Sequence, residues 1–161
     1  MLEQKNMDLL MSHKVMNEAE IRSRHEILLE NYCKVLHIEA LTMLEMARKD
    51  ILPAVVSYTN EVAKSVKLKK DIGISLENDA TLDLCGKLSA LTNSLYEKTN
   101  ALEAAIDGEN KATGSLEASA YYRDELVPAM NTLRAVADEL ETMVAEKHWP
   151  YPTYSELLFN I

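Results

Sequence analysis

Residues 84–106 read LCGKLSALTNSLYEKTNALEAAI, with Leu84, Leu88, Leu91, Leu95, Leu102 and Ile106 at intervals of 4, 3, 4, 7 and 4. At 100° per residue all six fall within one narrow seam, the signature of a helix that packs along other helices in coiled-coil fashion. The spacing predicts a helix over 78–107, closed by Asp107-Gly108 and followed by a loop from Glu109 to Ser115.

Upstream, Asn17 with Glu20 three residues later has the form of a capping box, in which each side chain satisfies the other residue's free backbone N–H. A long helix over 17–70 is expected from there. Ile21, Leu28, Tyr32, Val35, Leu36, Met43 and Met46 recur at helical steps. Pro53 removes an N–H and crowds the carbonyl four residues back, so a kink or brief break is expected before the spacing resumes at Val55, Val56, Val62 and Val66. Lys67, Lys69 and Lys70 suit the negative end of the helix dipole, and Gly73 can take the left-handed conformation that ends a helix. Residues 1–16 read as a short helix and a turn.

Downstream, a third long helix over 115–147 is expected to bury Leu126, Val127, Met130, Leu133, Ala137, Leu140 and Val144, with Pro128 interrupting it early. The tail over 148–161 cannot continue it, because Pro150 and Pro152 push their predecessors toward extended conformations. Thr153 and Glu156 offer another capping box, and Trp149, Tyr151, Tyr154 and Phe159 are expected to fold back as a plug on the open end of the helices. The fold expected is all-α: an antiparallel bundle of three long helices, the first kinked at Pro53, with a short N-terminal helix and an aromatic, Pro-rich C-terminal tail, in a single domain over 1–161.

Composition agrees. A length of 161 residues suits one domain with a real core, and 47% hydrophobic residues with only four Gly and four Pro favour long helices over disorder or a turn-rich sheet. A net charge of −9 repels phosphate backbones and anionic lipid, which argues against nucleic acid and membrane-surface partners. No apolar run reaches 18 residues, and Cys33 and Cys85 form no metal or disulfide pattern, so a reducing cytoplasm is the expected setting.

The chemistry of a catalytic site is missing. No Glu-x-x-His motif of the di-iron bundles occurs, His13, His25, His37 and His148 form no i,i+4 pair, and the glycines are isolated. His25 and Glu39 fall inside the apolar stripe of the first long helix, about 21 Å apart along it, too far to share a ligand. Glu39 is expected to be partly buried and paired with Arg123 or Arg134 on the third helix, on the rule that buried charges are paired. The eight methionines read as adaptable core fillers.

Several strings resemble one family. Glu20-Ile21-Arg22-Ser23-Arg24-His25-Glu26-Ile27, Leu29-Glu30-Asn31-Tyr32, Ile38-Glu39-Ala40, Met46-Ala47 and Ile51-Leu52-Pro53-Ala54 are similar to the C-terminal helical region of type III glutamine synthetases. Trp149-Pro150-Tyr151-Pro152-Thr153-Tyr154 with Leu157-Leu158-Phe159 resembles the terminus of the same proteins. The resemblance implies a parent enzyme that joins ammonia to glutamate using ATP and a divalent metal, Mg, within a large oligomer of stacked rings. The family's metal-binding glutamates and nucleotide loops lie upstream of this region. No catalytic, cofactor-binding or metal-binding residue is therefore assigned here, and the chain alone is expected to have no ligase activity and no ATP affinity. The expected role is a non-catalytic structural and assembly segment, whose partners are the parent's catalytic domain and neighbouring subunits. A free-standing adaptor binding partner helices and a small metalloenzyme bundle are the competing readings.

Helix lengths add one expectation. A first helix of roughly 80 Å beside partners of about 45 to 48 Å leaves Asn17 to Leu36 projecting, with Ile21, Leu28, Tyr32 and Leu36 as an interface that drives self-association of the isolated chain, as a two-fold dimer.

Overall fold

The computed structural model describes residues 2–109, 114–152 and 154–159, and among these every regular element is helical and no strand occurs. In chain order the elements are α1 (Gln4–Ser12), α2 (Glu18–Met46), a π turn (Ala47–Ile51), α3 (Leu52–Asp71), α4 (Ala80–Gly108), α5 (Ser115–Tyr121), a second π turn (Tyr122–Leu126), α6 (Val127–Met143), a 3-10 turn (Glu146–His148) and α7 (Tyr154–Phe159).

The ends of the helices follow from single residues. Asn17 caps α2 with the full reciprocal box: its Oδ1 accepts from the Glu20 N–H at 2.9 Å, and Glu20 Oε2 accepts from the Asn17 N–H at 2.8 Å. At the other end of α3, Gly73 takes φ +78°, and the Ile74 N–H donates to the Lys69 carbonyl at 3.0 Å, which closes the last turn. Asp79 caps α4 by accepting from the N–H groups of Thr81 and Leu82, and its other carboxylate oxygen meets Lys69 Nζ at 2.8 Å. That lysine holds the Asp79 carboxyl below the usual carboxylate range. Thr153 lies outside the described residues, although α7 does begin directly after it.

The helical backbone continues through Pro53 and Pro128 by way of a π turn before each, where the sequence expectation was a kink or brief break at the first and an early interruption at the second. Each stands at the second position of a helix that follows a π turn, and the flanking residues stay in right-handed helical conformation. In an α-helix the proline ring would press on the carbonyl four residues back. Here the ladder widens just before it: Leu52 N–H donates to the Ala47 carbonyl and Val127 N–H to the Tyr122 carbonyl, each five residues back. The two sites share a short pattern, Arg48-Lys49-Asp50-Ile51-Leu52-Pro53-Ala54 and Arg123-Asp124-Glu125-Leu126-Val127-Pro128-Ala129.

The core shows the same bookkeeping of turns. Cys33, Ala40 and Ala47 are buried at steps of seven, Val55 and Val62 continue at a step of seven, and the gap between Ala47 and Val55 is eight. The extra residue is absorbed by the π turn, which keeps the buried face aligned across Pro53. Leu88, Leu95 and Leu102 on α4 and Leu126, Leu133 and Leu140 from the second π turn through α6 repeat the seven-residue step and belong to the same cluster. Thr99, buried beside them, donates its hydroxyl to the Leu95 carbonyl at 2.7 Å, so it enters the core without an unsatisfied group. α4 packs against α3 and α6, while α2 packs against α5. Arg48 forks onto Glu103, with Nη1 to Oε1 at 2.7 Å and a second bond from Nη2 to Oε2, joining the first π turn to α4.

The third helical segment stops at Met143, four residues before the expected end. Val144 is extended and buried, which turns the chain so that Lys147 and His148 meet Glu61 on α3 at 2.8 and 2.7 Å. These two partners hold the Glu61 carboxyl below its usual range.

Two glycines on α4 make opposite predictions. A methyl at Gly86 would meet nothing within 4 Å, so Gly86→Ala should raise stability by about 1 kcal/mol, the ordinary gain of helix propensity. A methyl at Gly108 would stand 2.2 Å from the Tyr121 hydroxyl, which donates to the Ala105 carbonyl at 2.7 Å. Gly108→Ala must displace that ring and its hydrogen bond, and should fall below Gly86→Ala by about 1 to 3 kcal/mol. Thermal melts of the two variants check both signs.

Candidate docking surface

Helix α2 presents two unlike faces. The side turned to the rest of the molecule is lined by small residues, Cys33, Ala40 and Ala47, with Leu36, Met43 and Leu44 packed around them. The opposite side carries Ile27, Leu28, Tyr32, Val35, Ile38 and Leu41, all exposed, Leu28 at 58% and Ile38 at 63%. Small side chains let α2 approach its neighbours closely, and the bulky apolar ones are left in water. Six large apolar groups are thus exposed within fifteen residues, a density of the kind that marks a protein contact.

The interface residues expected from the sequence separate on this geometry. Leu28 and Tyr32 do lie on the open face. Ile21 is fully buried, because α1 folds back on the start of α2, and Met7 of α1 is buried as well. Leu36 packs against the core. With Cys33 and Leu36 packed on the core and α5 against α2, the segment Asn17 to Leu36 does not project without intrachain partners, and its exposed stripe extends further along the helix than expected, to Leu41.

The ionic expectation is also corrected. Glu39 is exposed. Arg123 is held by Asp124, with two bonds of 2.7 Å, and Arg134 lies 3.3 Å from Asp138. With water available to the Glu39 carboxylate, burial creates no need for a partner within the chain.

The tail runs back along the first long helix. Trp149 and Tyr151 meet edge to face, with ring centroids 6.5 Å apart, and both pack against the core. The Tyr151 hydroxyl donates to Asp50 Oδ2 at 2.9 Å inside the first π turn, and burial with that carboxylate pushes the phenol up to about 12. These two rings, with Met43, Met46, Ile51 and Leu133, border an apolar groove of about 310 Å³. The plug is thus made by Trp149 and Tyr151 at the side of the helices. Phe159 is 78% exposed and takes no part, and the side chain of Tyr154 lies outside the described residues.

A polar cluster that the sequence did not reveal ties α2 to the end of α4 and to the second π turn. His37 Nδ1 lies 2.8 Å from Glu109 Oε2 and 3.4 Å from the Tyr122 hydroxyl, with Cys33 buried beside them. Burial and the Glu109 carboxylate raise the Tyr122 phenol far above its usual value, and the same two causes raise the Cys33 thiol. Both groups therefore stay neutral at pH 7. Among the described residues no group of three His, Cys, Asp or Glu could hold a metal ion, and no helix is long and apolar enough to cross a membrane.

Residues 1–70 match the model of the glutamine synthetase C-terminal domain. A glutamine synthetase of Butyrivibrio fibrisolvens is 40% identical over 159 residues, covering 97% of this chain and 22% of that protein. The chain is homologous to the C-terminal region of glutamine synthetases. A type-3 glutamine synthetase of Dictyostelium discoideum is 29% identical over 161 residues, with 97% of this chain and 22% of the relative covered. A glutamine synthetase of Bacteroides fragilis is 27% identical over 160 residues, with 94% and 21% covered. The chain thus spans about a fifth of the length of these glutamine synthetase relatives.

Proposed function

We propose that this glutamine synthetase region is a non-catalytic structural and assembly segment, working as one helical domain over 1–161 within a cytoplasmic enzyme that ligates ammonia to glutamate with ATP and Mg. Its three long helices are read as an antiparallel bundle, the first and third running together and α4 running against them. The register of Arg48 with Glu103 and of Lys69 with Asp79 supports that direction. The parent's catalytic domain and neighbouring subunits are the proposed partners, and the isolated chain is proposed to self-associate. The match to about a fifth of longer glutamine synthetases favours this reading over a free-standing adaptor.

The observation that carries it is the open apolar face of α2 from Ile27 to Leu41, lying opposite a packed face and bordered by charged residues. In a complete glutamine synthetase chain, Leu28→Glu with Ile38→Glu should shift the enzyme from assembled to dissociated forms on size exclusion and lower its activity accordingly. The same pair should leave the melting temperature of the 161-residue chain within about 2 °C, because both side chains are exposed. Unchanged assembly and activity would refute the reading.

A further inference from the structure

The open face of α2 carries a pattern that reads nearly the same from both ends. At 100° per residue, Arg24, Leu28, Tyr32, Val35 and Glu39 lie within an arc of about 80°, a single stripe along the helix. Inverting the stripe about a point between Asn31 and Tyr32 brings Leu28 opposite Val35 and Arg24 opposite Glu39. The charges at its two ends are opposite in sign, so two copies laid antiparallel would join basic to acidic at both ends and apolar to apolar between.

The charges on α2 separate accordingly. Arg22 pairs with Glu18, Lys34 with Glu30, and Glu45 with Lys49, while Glu20 closes the cap at Asn17. Among the described residues Arg24, Glu26 and Glu39 have no such partner, and of these only Arg24 and Glu39 share the stripe. Arg134 lines the same surface groove as Glu39, but its guanidinium faces Asp138. In the inverted arrangement α1, seated over Ile21, would come opposite Thr42 of the second copy. Thr42 there lines a surface groove between α2 and α6.

We infer that this stripe is a two-fold contact in which α2 of one copy packs antiparallel on α2 of another, with Arg24 of each copy paired to Glu39 of the other. The inference rests on the docking reading above and assigns that face a specific occupant, a second copy of this chain. A two-fold axis makes each ion pair occur twice, so one favourable pairing is doubled by symmetry. The stripe covers only about 23 Å of one helix, which places the contact among small, weak interfaces.

The test uses the 161-residue chain, whose core closes on its own residues, in sedimentation at roughly 10 to 300 µM. The wild-type chain is expected to dimerise. Arg24→Glu and Glu39→Arg should each weaken the dimer by roughly 10-fold or more, and the double swap should return it to within about 3-fold of wild type. Circular dichroism confirms that all variants keep their helix, as exposed positions should. A wild-type chain that remains monomeric, or a double swap no tighter than the singles, overturns the two-fold contact. Rescue of Glu39→Arg by Arg134→Glu in place of Arg24→Glu also overturns it, by showing a pair within one chain. If Leu28→Glu with Ile38→Glu still dissociates the complete enzyme in those cases, the face docks on another part of the enzyme. If that variant is silent as well, the docking reading itself is lost.

Discussion

Tyr122→Ala is expected to lower stability by about 3 to 5 kcal/mol, and Tyr122→Phe by only about 1 kcal/mol. Among the described residues Tyr122 is the largest fully buried side chain, and it sits in the second π turn beside the Cys33 and His37 of α2. Removing the ring empties a volume that helices on both sides help to define, and the backbone there is already committed to the wide turn before Pro128. Replacement by Phe keeps that volume and removes only the hydroxyl near His37 and Glu109. Denaturant titrations of the two variants separate these contributions. A Phe variant as unstable as the Ala variant would mean that the polar cluster, and not the ring, holds α2 to the second π turn.

Leu95→Ala should cost about 2 to 5 kcal/mol, more than the same change at the half-buried Leu84 or Leu91. Leu95 is fully buried at the middle of the series Leu88, Leu95 and Leu102, and Thr99 donates its hydroxyl to the Leu95 carbonyl. The gap left by its side chain would be bounded on both sides by well-packed layers, with little freedom to collapse into it. Equal losses at Leu84, Leu91 and Leu95, measured by the same titrations, would show that depth within the series carries no weight.

The same series explains why α4 was legible in the sequence and the first long helix was not. On α4 the residues facing the core are leucines, so hydrophobic spacing and burial coincide. Beyond Ile21, which lies under α1, the buried residues of α2 and the π turn after it begin with Cys33, Ala40 and Ala47, which contribute little to an apolar pattern, while the bulky Leu28, Tyr32 and Val35 lie on the outside. A reading weighted by side-chain size therefore joined Leu28 and Tyr32, which are exposed, in one interface with Ile21, which is buried, and Leu36, which packs on the core. The caps at Asn17 and Gly73 were legible because each is a local bargain between one side chain or one backbone angle and the next turn. The π turns were not, since a proline seen alone signals a break. Only the eight-residue step from Ala47 to Val55, and the recurrence of Arg-x-acid-x-x-Pro-Ala at Arg48 and Arg123, hint that an extra residue has been accommodated. Glu39 was expected to be partly buried and is exposed, because a sequence cannot tell an inward from an outward stripe when both are apolar.

The unbroken passage through Pro53 has a mechanical consequence. From Glu18 to Asp71 the chain is one rod of roughly 80 Å, and its pivot is the π turn at Ala47–Ile51. A tilt of about 5° there would carry Leu28 sideways by about 3 Å, enough to unseat an apolar contact. Two braces hold that pivot: Arg48 is fastened to Glu103 on α4, and Asp50 receives the hydroxyl of Tyr151 from the tail. The last residues of the chain thus set the aim of an arm whose tip lies near its beginning.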